Sequence, residues 1–264
     1  MDSFRISEKP NYISHGDEEN VFMSAFSQKI PVILKGPTGC GKTRFVEYMS
    51  SVLDVPLLTV ACHEDLTASD LIGRYLFKAN ETVWEDGPLT LAVRHGGICY
   101  LDEIVEARKD TVVVIHSLTD DRRMLFIDKT REVIHAHEKF LLVMSYNPGY
   151  QNIMKELKES TKQRFVSLQF EHPCPEVEIE IIMSETGLAR EEAEKLAGIG
   201  EKVRNLKGFG LTEGASTRLL VYAARLIRSG LTGQQACRAA VSETLTDDCE
   251  IRASLEEVVQ LFYE

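Results

Sequence analysis

Gly36-Pro37-Thr38-Gly39-Cys40-Gly41-Lys42-Thr43 is the segment whose residue types say most about chemistry. It fits the spacing G-x-x-x-x-G-K-[ST], in which glycines let successive backbone N–H groups curl round a phosphate. A helix opening at the end of the loop adds its positive end to the same anion. Lys42 would neutralise β- and γ-phosphate oxygens, and the Thr43 hydroxyl would ligate Mg²⁺. The competing reading is a chance glycine-rich turn. It does not account for the apolar run before the loop or the helical spacing after it.

Asp102 and Glu103 end a second apolar run, Ile98-Cys99-Tyr100-Leu101. Carboxylates at the carboxyl edge of a parallel sheet stand where ligands bind. Asp102 would hold the Mg²⁺ shell, and Glu103 would polarise an attacking water. Alone, the pair would serve equally well as a helix cap; the loop upstream favours the chemical reading. Asn147 closes the run ending SYNP, where a neutral amide can orient that water or touch the γ-phosphate. Arg164 in TKQRF and Arg218 in GASTR carry the fork that suits dispersed phosphate charge. The alternative for each is a surface salt bridge.

The elements that must position these groups follow from periodicity. Residues 17–28 and 42–53 have helical spacing, and IPVILKG, LLTVAC (57–62), ICYLDE (98–103), FLLVMSYN (140–147) and RFVSLQF (164–170) read as buried strands. A helical stretch is expected around 108–119. The alternation predicts an α/β fold with a mostly parallel sheet over 1–172. Past HPCPE only helices are expected, around 176–186, 190–206, 213–229, 233–243 and 253–263, forming a small all-helical domain over 173–264. Two hairpins interrupt the first domain. One spans about 74–89 and bends at Lys78-Ala79-Asn80; the other spans 123–136 and bends at Asp128-Lys129-Thr130. Tyr75, Phe77 and Trp84 on the first either grip a client or pack the hairpin on its own base.

Composition narrows the function classes. The 264 residues are 44% hydrophobic and 27% charged, which excludes disordered and fibrous classes. A net charge of −11 argues against sequence-independent nucleic-acid binding. No apolar run approaches the roughly 20 residues needed to span a bilayer, and MDSFRISEKPNY lacks the order of a secretory signal, so a cytoplasmic address is expected. The six cysteines form no CxxC pair and are expected to be reduced. His135 and His137 read as surface residues of the second hairpin.

GPTGCGKT, YLDE, SYNP, KQRF and GASTR, in that order, resemble the Walker A, Walker B, sensor 1, arginine finger and sensor 2 motifs of an AAA+ ATPase. The hairpins are similar to the helix-2 and pre-sensor-1 inserts of the MoxR branch. VACHEDLTASDLIGRYL, WEDGPLT, ICYLDEIVEARKDT, HSLTDDRR and SYNPGYQ resemble the CbbQ/NirQ/NorQ family, and the likeness runs from about residue 12 to the end. Lys162 departs from many relatives, which carry arginine there, and leaves Arg164 as the candidate finger.

The resemblance implies an AAA+ P-loop core with a helical lid, ATP and Mg²⁺ as ligands, and a homo-hexameric ring. In that ring Arg164 reaches the neighbour's ATP and Arg218 contacts its own. It also implies a partner with a von Willebrand A domain, of CbbO or NorD type. The expected work is release of inhibitory sugar phosphates from Rubisco; maturation of nitric oxide reductase is the alternative. From another class, the rival is a P-loop small-molecule kinase. Neither an NKxD nor an LSGGQ-like string is present for a GTPase or an ABC-type ATPase.

Overall fold

Short runs rich in β-branched and aliphatic residues build the strands, with helices between them. In chain order the first part forms α1 (Glu18–Gln28), β1 (Val32–Lys35), α2 (Lys42–Leu53), β2 (Leu57–Ala61), α3 (Ala68–Ile72), β3 (Gly73–Lys78), β4 (Glu81–Asp86) and α4 (Pro88–His95). There follow β5 (Gly97–Asp102), α5 (Lys109–Val113), β6 (Met124–Ile127), β7 (Glu132–His135), β8 (Phe140–Tyr146), α6 (Glu159–Lys162) and β9 (Val166–Gln169). The computed structural model describes residues 1–78, 80–148, 157–206, 208 and 210–263. Ala79 at the first hairpin's bend, and Gly149, Tyr150 and Gln151 of the SYNPGYQ string, lie outside the described residues.

The chain separates into two units. One holds residues 1–10, 16–36 and 42–170; the other holds 11–15, 37–41 and 171–264. In the first, a five-stranded sheet runs in the order β2-β5-β8-β1-β9, every pairing parallel. β8 is buried at all its positions, as a strand covered on both faces must be. Leu58, Leu101, Leu142 and Met144 share a core with Leu89 and Val93 of α4.

β3–β4 and β6–β7 are antiparallel hairpins. Tyr75 lies opposite Trp84 with ring centroids 5.2 Å apart, and the Trp84 indole donates to Asp86 at 2.7 Å. Trp84 is half-buried against the core, so it anchors the hairpin base, whereas Phe77 is 74% exposed. Arg94 of α4 bonds Asp86 at 3.0 Å and grips Glu132 through both terminal nitrogens, at 2.7 and 2.9 Å. One guanidinium therefore ties the base of the first hairpin to the turn end of the second.

The second unit contains α7 (Pro175–Thr186), α8 (Arg190–Asn205), α9 (Thr217–Arg228), α10 (Gly233–Cys237), α11 (Glu243–Leu245) and α12 (Cys249–Gln260). A π turn at Arg238–Ser242 joins α10 to α11. Ile182, Leu196, Ile199, Val203, Leu220 and Leu255 fill its core.

Three expectations need correction. The stretch 108–119 is not one helix but α5 followed by a 3-10 turn at His116–Leu118. Its run Thr111-Val112-Val113-Val114-Ile115 is β-branched throughout and resists a long helix. The helix expected over 213–229 opens only at Thr217, because Gly214 and Ala215 belong to the preceding loop. The last helix begins at Cys249 rather than 253, capped by Asp248, whose carboxylate accepts from two backbone N–H groups of the first turn.

Candidate functional site

Lys35 is in register with Tyr146, and Leu101 with Met144, so β1, β8 and β5 end together at the carboxyl edge of the sheet. Gly36, Asn147 and Glu103 are the residues that leave that edge. Their neighbourhood follows from strand order, which the sequence does not display.

Asp102 is the centre of the α/β unit's polar contacts. Its Oδ1 accepts the Tyr100 hydroxyl at 2.7 Å and the Ser145 hydroxyl. Its Oδ2 accepts from Thr43 Oγ1 at 3.4 Å. Tyr100 is fully buried, and burial followed by the Asp102 charge pushes its phenol well above the usual range, so it stays a donor. Ser145, also fully buried, accepts the Glu103 backbone N–H at 3.2 Å. Glu103 itself has a left-handed backbone, φ 56° and ψ 47°, and an exposed side chain. Such a conformation costs a glutamate of the order of 1 kcal/mol or more and persists only where surroundings impose it.

A hydroxyl and a carboxylate oxygen this close are hard donors that suit Mg²⁺, which takes few protein ligands and completes its shell with water and phosphate. Among the described residues no group of three His, Cys, Asp or Glu side chains could hold a metal by itself. The Cys62 backbone N–H donates to the Asp102 carbonyl at 2.9 Å. Burial, then the charges of Asp102 and Glu103, push the Cys62 thiol up to about 12. It remains protonated and offers no thiolate to a soft metal.

Lys42 Nζ donates to the Gly36 carbonyl at 2.8 Å. The loop tip, Pro37, Thr38, Gly39, Cys40 and Gly41, groups with the helical unit. Gly39 has φ +69°, and a Cβ there would lie 2.6 Å from Ser216 Cβ and 3.5 Å from Arg218 Cβ. Both conformation and space demand glycine. Arg218, exposed at the start of α9, therefore stands beside the loop tip. Cys40 is buried and behaves as a small apolar group.

Asn147 is half-buried immediately after β8. Arg164 is exposed in the turn that closes α6, its backbone N–H donating to the Thr161 carbonyl at 3.1 Å. Its charge helps lower the pKa of both His116 and Asp120. Lys162 pairs with Glu159 of its own helix at 2.8 Å. Sequence reasoning missed Tyr100 and Ser145. Tyr100 shares a strand face with Asp102 two residues on, and Ser145 is the polar residue inside an apolar run; both signals were present.

Residues 31–165 match the AAA domain (dynein-related subfamily), and residues 178–262 match the CbbQ/NirQ/NorQ C-terminal family. The protein NorQ of Paracoccus denitrificans is 57% identical over 97% of this chain and 95% of its own length. CbbQ of Hydrogenophilus thermoluteolus is 53% identical, covering 98% of this chain and 97% of its own. The denitrification regulatory protein NirQ of Pseudomonas aeruginosa is 54% identical, covering 96% and 97%. Among solved structures, a RuvB mutant from Thermotoga maritima superposes with TM-score 0.57 at 16% identity, over 91% of this chain and 68% of that one. NtrX from Brucella abortus, in complex with ADP, gives 0.60 at 16%, over 96% and 64%. With both halves matched and relatives aligned nearly end to end, the chain belongs to the CbbQ/NirQ/NorQ family of AAA+ ATPases and hydrolyses ATP.

Proposed function

We propose that this ATPase works as a homo-hexameric ring that couples ATP hydrolysis to remodelling of a protein client. The family likeness supports the ring and the client; the observation that carries the ATP chemistry is the Asp102 carboxylate, with one oxygen held by Tyr100 and Ser145 and the other beside Thr43. That leaves a single, oriented oxygen for a cation. Thr43 and Asp102 would hold Mg²⁺, which supplies charge neutralisation to the β- and γ-phosphates when bound.

The chain's own residues do the rest. Backbone N–H groups from Gly36 to Gly41 and the Lys42 ammonium hold the phosphates. Glu103 takes the proton of the attacking water, and Asn147 orients that water. Arg164, exposed after α6, serves the neighbouring copy. Arg218, beside the loop tip, serves its own.

The acidic chain, with a net charge of −11, favours a protein client over nucleic acid. Among the described residues no helix is long and apolar enough to cross a membrane, in keeping with work in the cytoplasm. The family likeness supports a von Willebrand A domain partner of CbbO or NorD type. Two clients follow from it, inhibited Rubisco and nitric oxide reductase. Identities of 57% to NorQ, 54% to NirQ and 53% to CbbQ weigh on both sides.

The test has two stages. Labelled ATP should yield free phosphate and no phosphorylated acceptor, and Lys42→Ala should lose nucleotide binding. Normal affinity in that variant would remove the central assignment. Purified chain plus each partner type is then assayed on sugar-phosphate-inhibited Rubisco and on immature nitric oxide reductase. Activation of neither would end the remodelling proposal.

A further inference from the structure

Arg218 is exposed, yet every one of the four residues before it is held. A Cβ on Gly214 would lie 2.8 Å from the Arg204 Cα, so the loop backbone rests directly on α8. The Ala215 carbonyl accepts Arg204 Nε at 2.8 Å. Ser216 caps α9, its hydroxyl accepting the Leu219 N–H. Thr217 Oγ1 donates to Glu178 Oε1 at 2.6 Å.

Glu178 and Arg204 complete the frame. Glu178 of α7 is fully buried, and Arg204 meets it with Nη1 to Oε2 at 2.8 Å and Nη2 to Oε1 at 2.5 Å. Both faces of the guanidinium fork are thus in use, one edge on Glu178 and Nε on the loop. A buried ion pair is weak evidence for stability, since an apolar pair of similar volume often serves as well. What this pair adds is geometry, and the geometry it sets is the backbone over 215–217.

We infer that Glu178 and Arg204, acting through Thr217 and the Ala215 carbonyl, are positioning residues for Arg218. The frame fixes where α9 begins, and the first exposed side chain of that helix is the arginine beside Gly39. A guanidinium meeting a phosphate must be placed to within a fraction of an ångström to act in the transition state. The inference rests on the role given above to Arg218.

The test is a double-mutant cycle in the full-length chain. Thr217→Val removes the hydroxyl at nearly constant shape and leaves the Glu178–Arg204 pair intact, so folding is preserved; thermal melting verifies this. ATP turnover should fall about tenfold, one hydrogen bond's worth, with KM for ATP nearly unchanged. Thr217→Ser should restore it. In an Arg218→Ala background the Thr217→Val change should cost nothing further. An equal loss in both backgrounds, or full turnover in Thr217→Val alone, overturns the positioning role while leaving Arg218 in place. Undiminished turnover in Arg218→Ala alone removes the role of Arg218 and this inference with it.

Discussion

The hydroxyl of Ser145 accepts the backbone N–H of Glu103 at 3.2 Å, so the residue that bends out of β5 is held by a side chain from β8. The same hydroxyl donates to Asp102. Position 145 thus fixes both carboxylate-bearing residues, one through its side chain and the other through its backbone.

Ser145→Ala removes a fully buried hydrogen-bonding group from a charged acceptor, which is worth about 2 kcal/mol. The expected outcome is a lower melting temperature and a turnover reduced roughly tenfold, with ATP affinity retained. Calorimetry and phosphate release, measured on one preparation, check both. A variant as fast and stable as the parent would show that Glu103 keeps its place unaided.

Glu103→Gln keeps the shape of the side chain and loses only its basicity. Turnover should drop by a factor on the order of 10² to 10⁴, while nucleotide still binds. Equilibrium binding of a fluorescent ATP analogue, set beside phosphate release, separates the two effects. Normal hydrolysis would move the base elsewhere.

Under the proposed ring, Arg164→Ala subunits mixed with Glu103→Gln subunits, each inactive alone, should regain turnover, because an intact Glu103 site then meets a neighbour's arginine. A trans arginine contributes on the order of 10³-fold or more to phosphoryl transfer. A titration of mixing ratio against turnover reads this directly, and no recovery at any ratio would place Arg164 outside any neighbour's site.

His116 supplies a pH dependence. Burial, then the charges of Arg164 and Lys158, lower its pKa in the folded chain, while its Nε2 lies 3.3 Å from Thr161 Oγ1. A depressed histidine binds fewer protons folded than unfolded, so its contribution is present above about 6.5 and lost as pH falls through the folded pKa. Melting temperature should therefore decline below about pH 6.5, and less so in His116→Gln. Equal declines in both chains would assign the loss to other groups.

Much of the fold was legible because its strands are uninterrupted apolar runs and its C-terminal helices carry regular apolar stripes. The short elements were not. α3 announces itself only through the capping box of Thr67 and Asp70, and α4 through Pro88 at its first position. α6 has four residues, too few to show a period. For the site, the loop at 36–43 and the pair Asp102-Glu103 were readable from local spacing. Tyr100 and Ser145 left local signals, but the Ser145–Asp102 bond and the Glu178–Arg204 pair depend on which strand or helix stands alongside, and neighbours 43 or 26 positions apart leave no periodic trace. Trp84 and Phe77 share one face of the hairpin; Trp84, paired with Tyr75 nearer the base, packs on the core, whereas Phe77, paired with Thr82 nearer the bend, is exposed.

The backbone twist at Glu103 has a bearing on attempts to make the enzyme hardier. Glycine or asparagine would sit there more comfortably, so a library ranked by heat tolerance alone will drift toward them. Under the role proposed for Glu103, such winners would outlast the parent and hydrolyse ATP far more slowly. Any selection for robustness in this chain must score catalysis at every round.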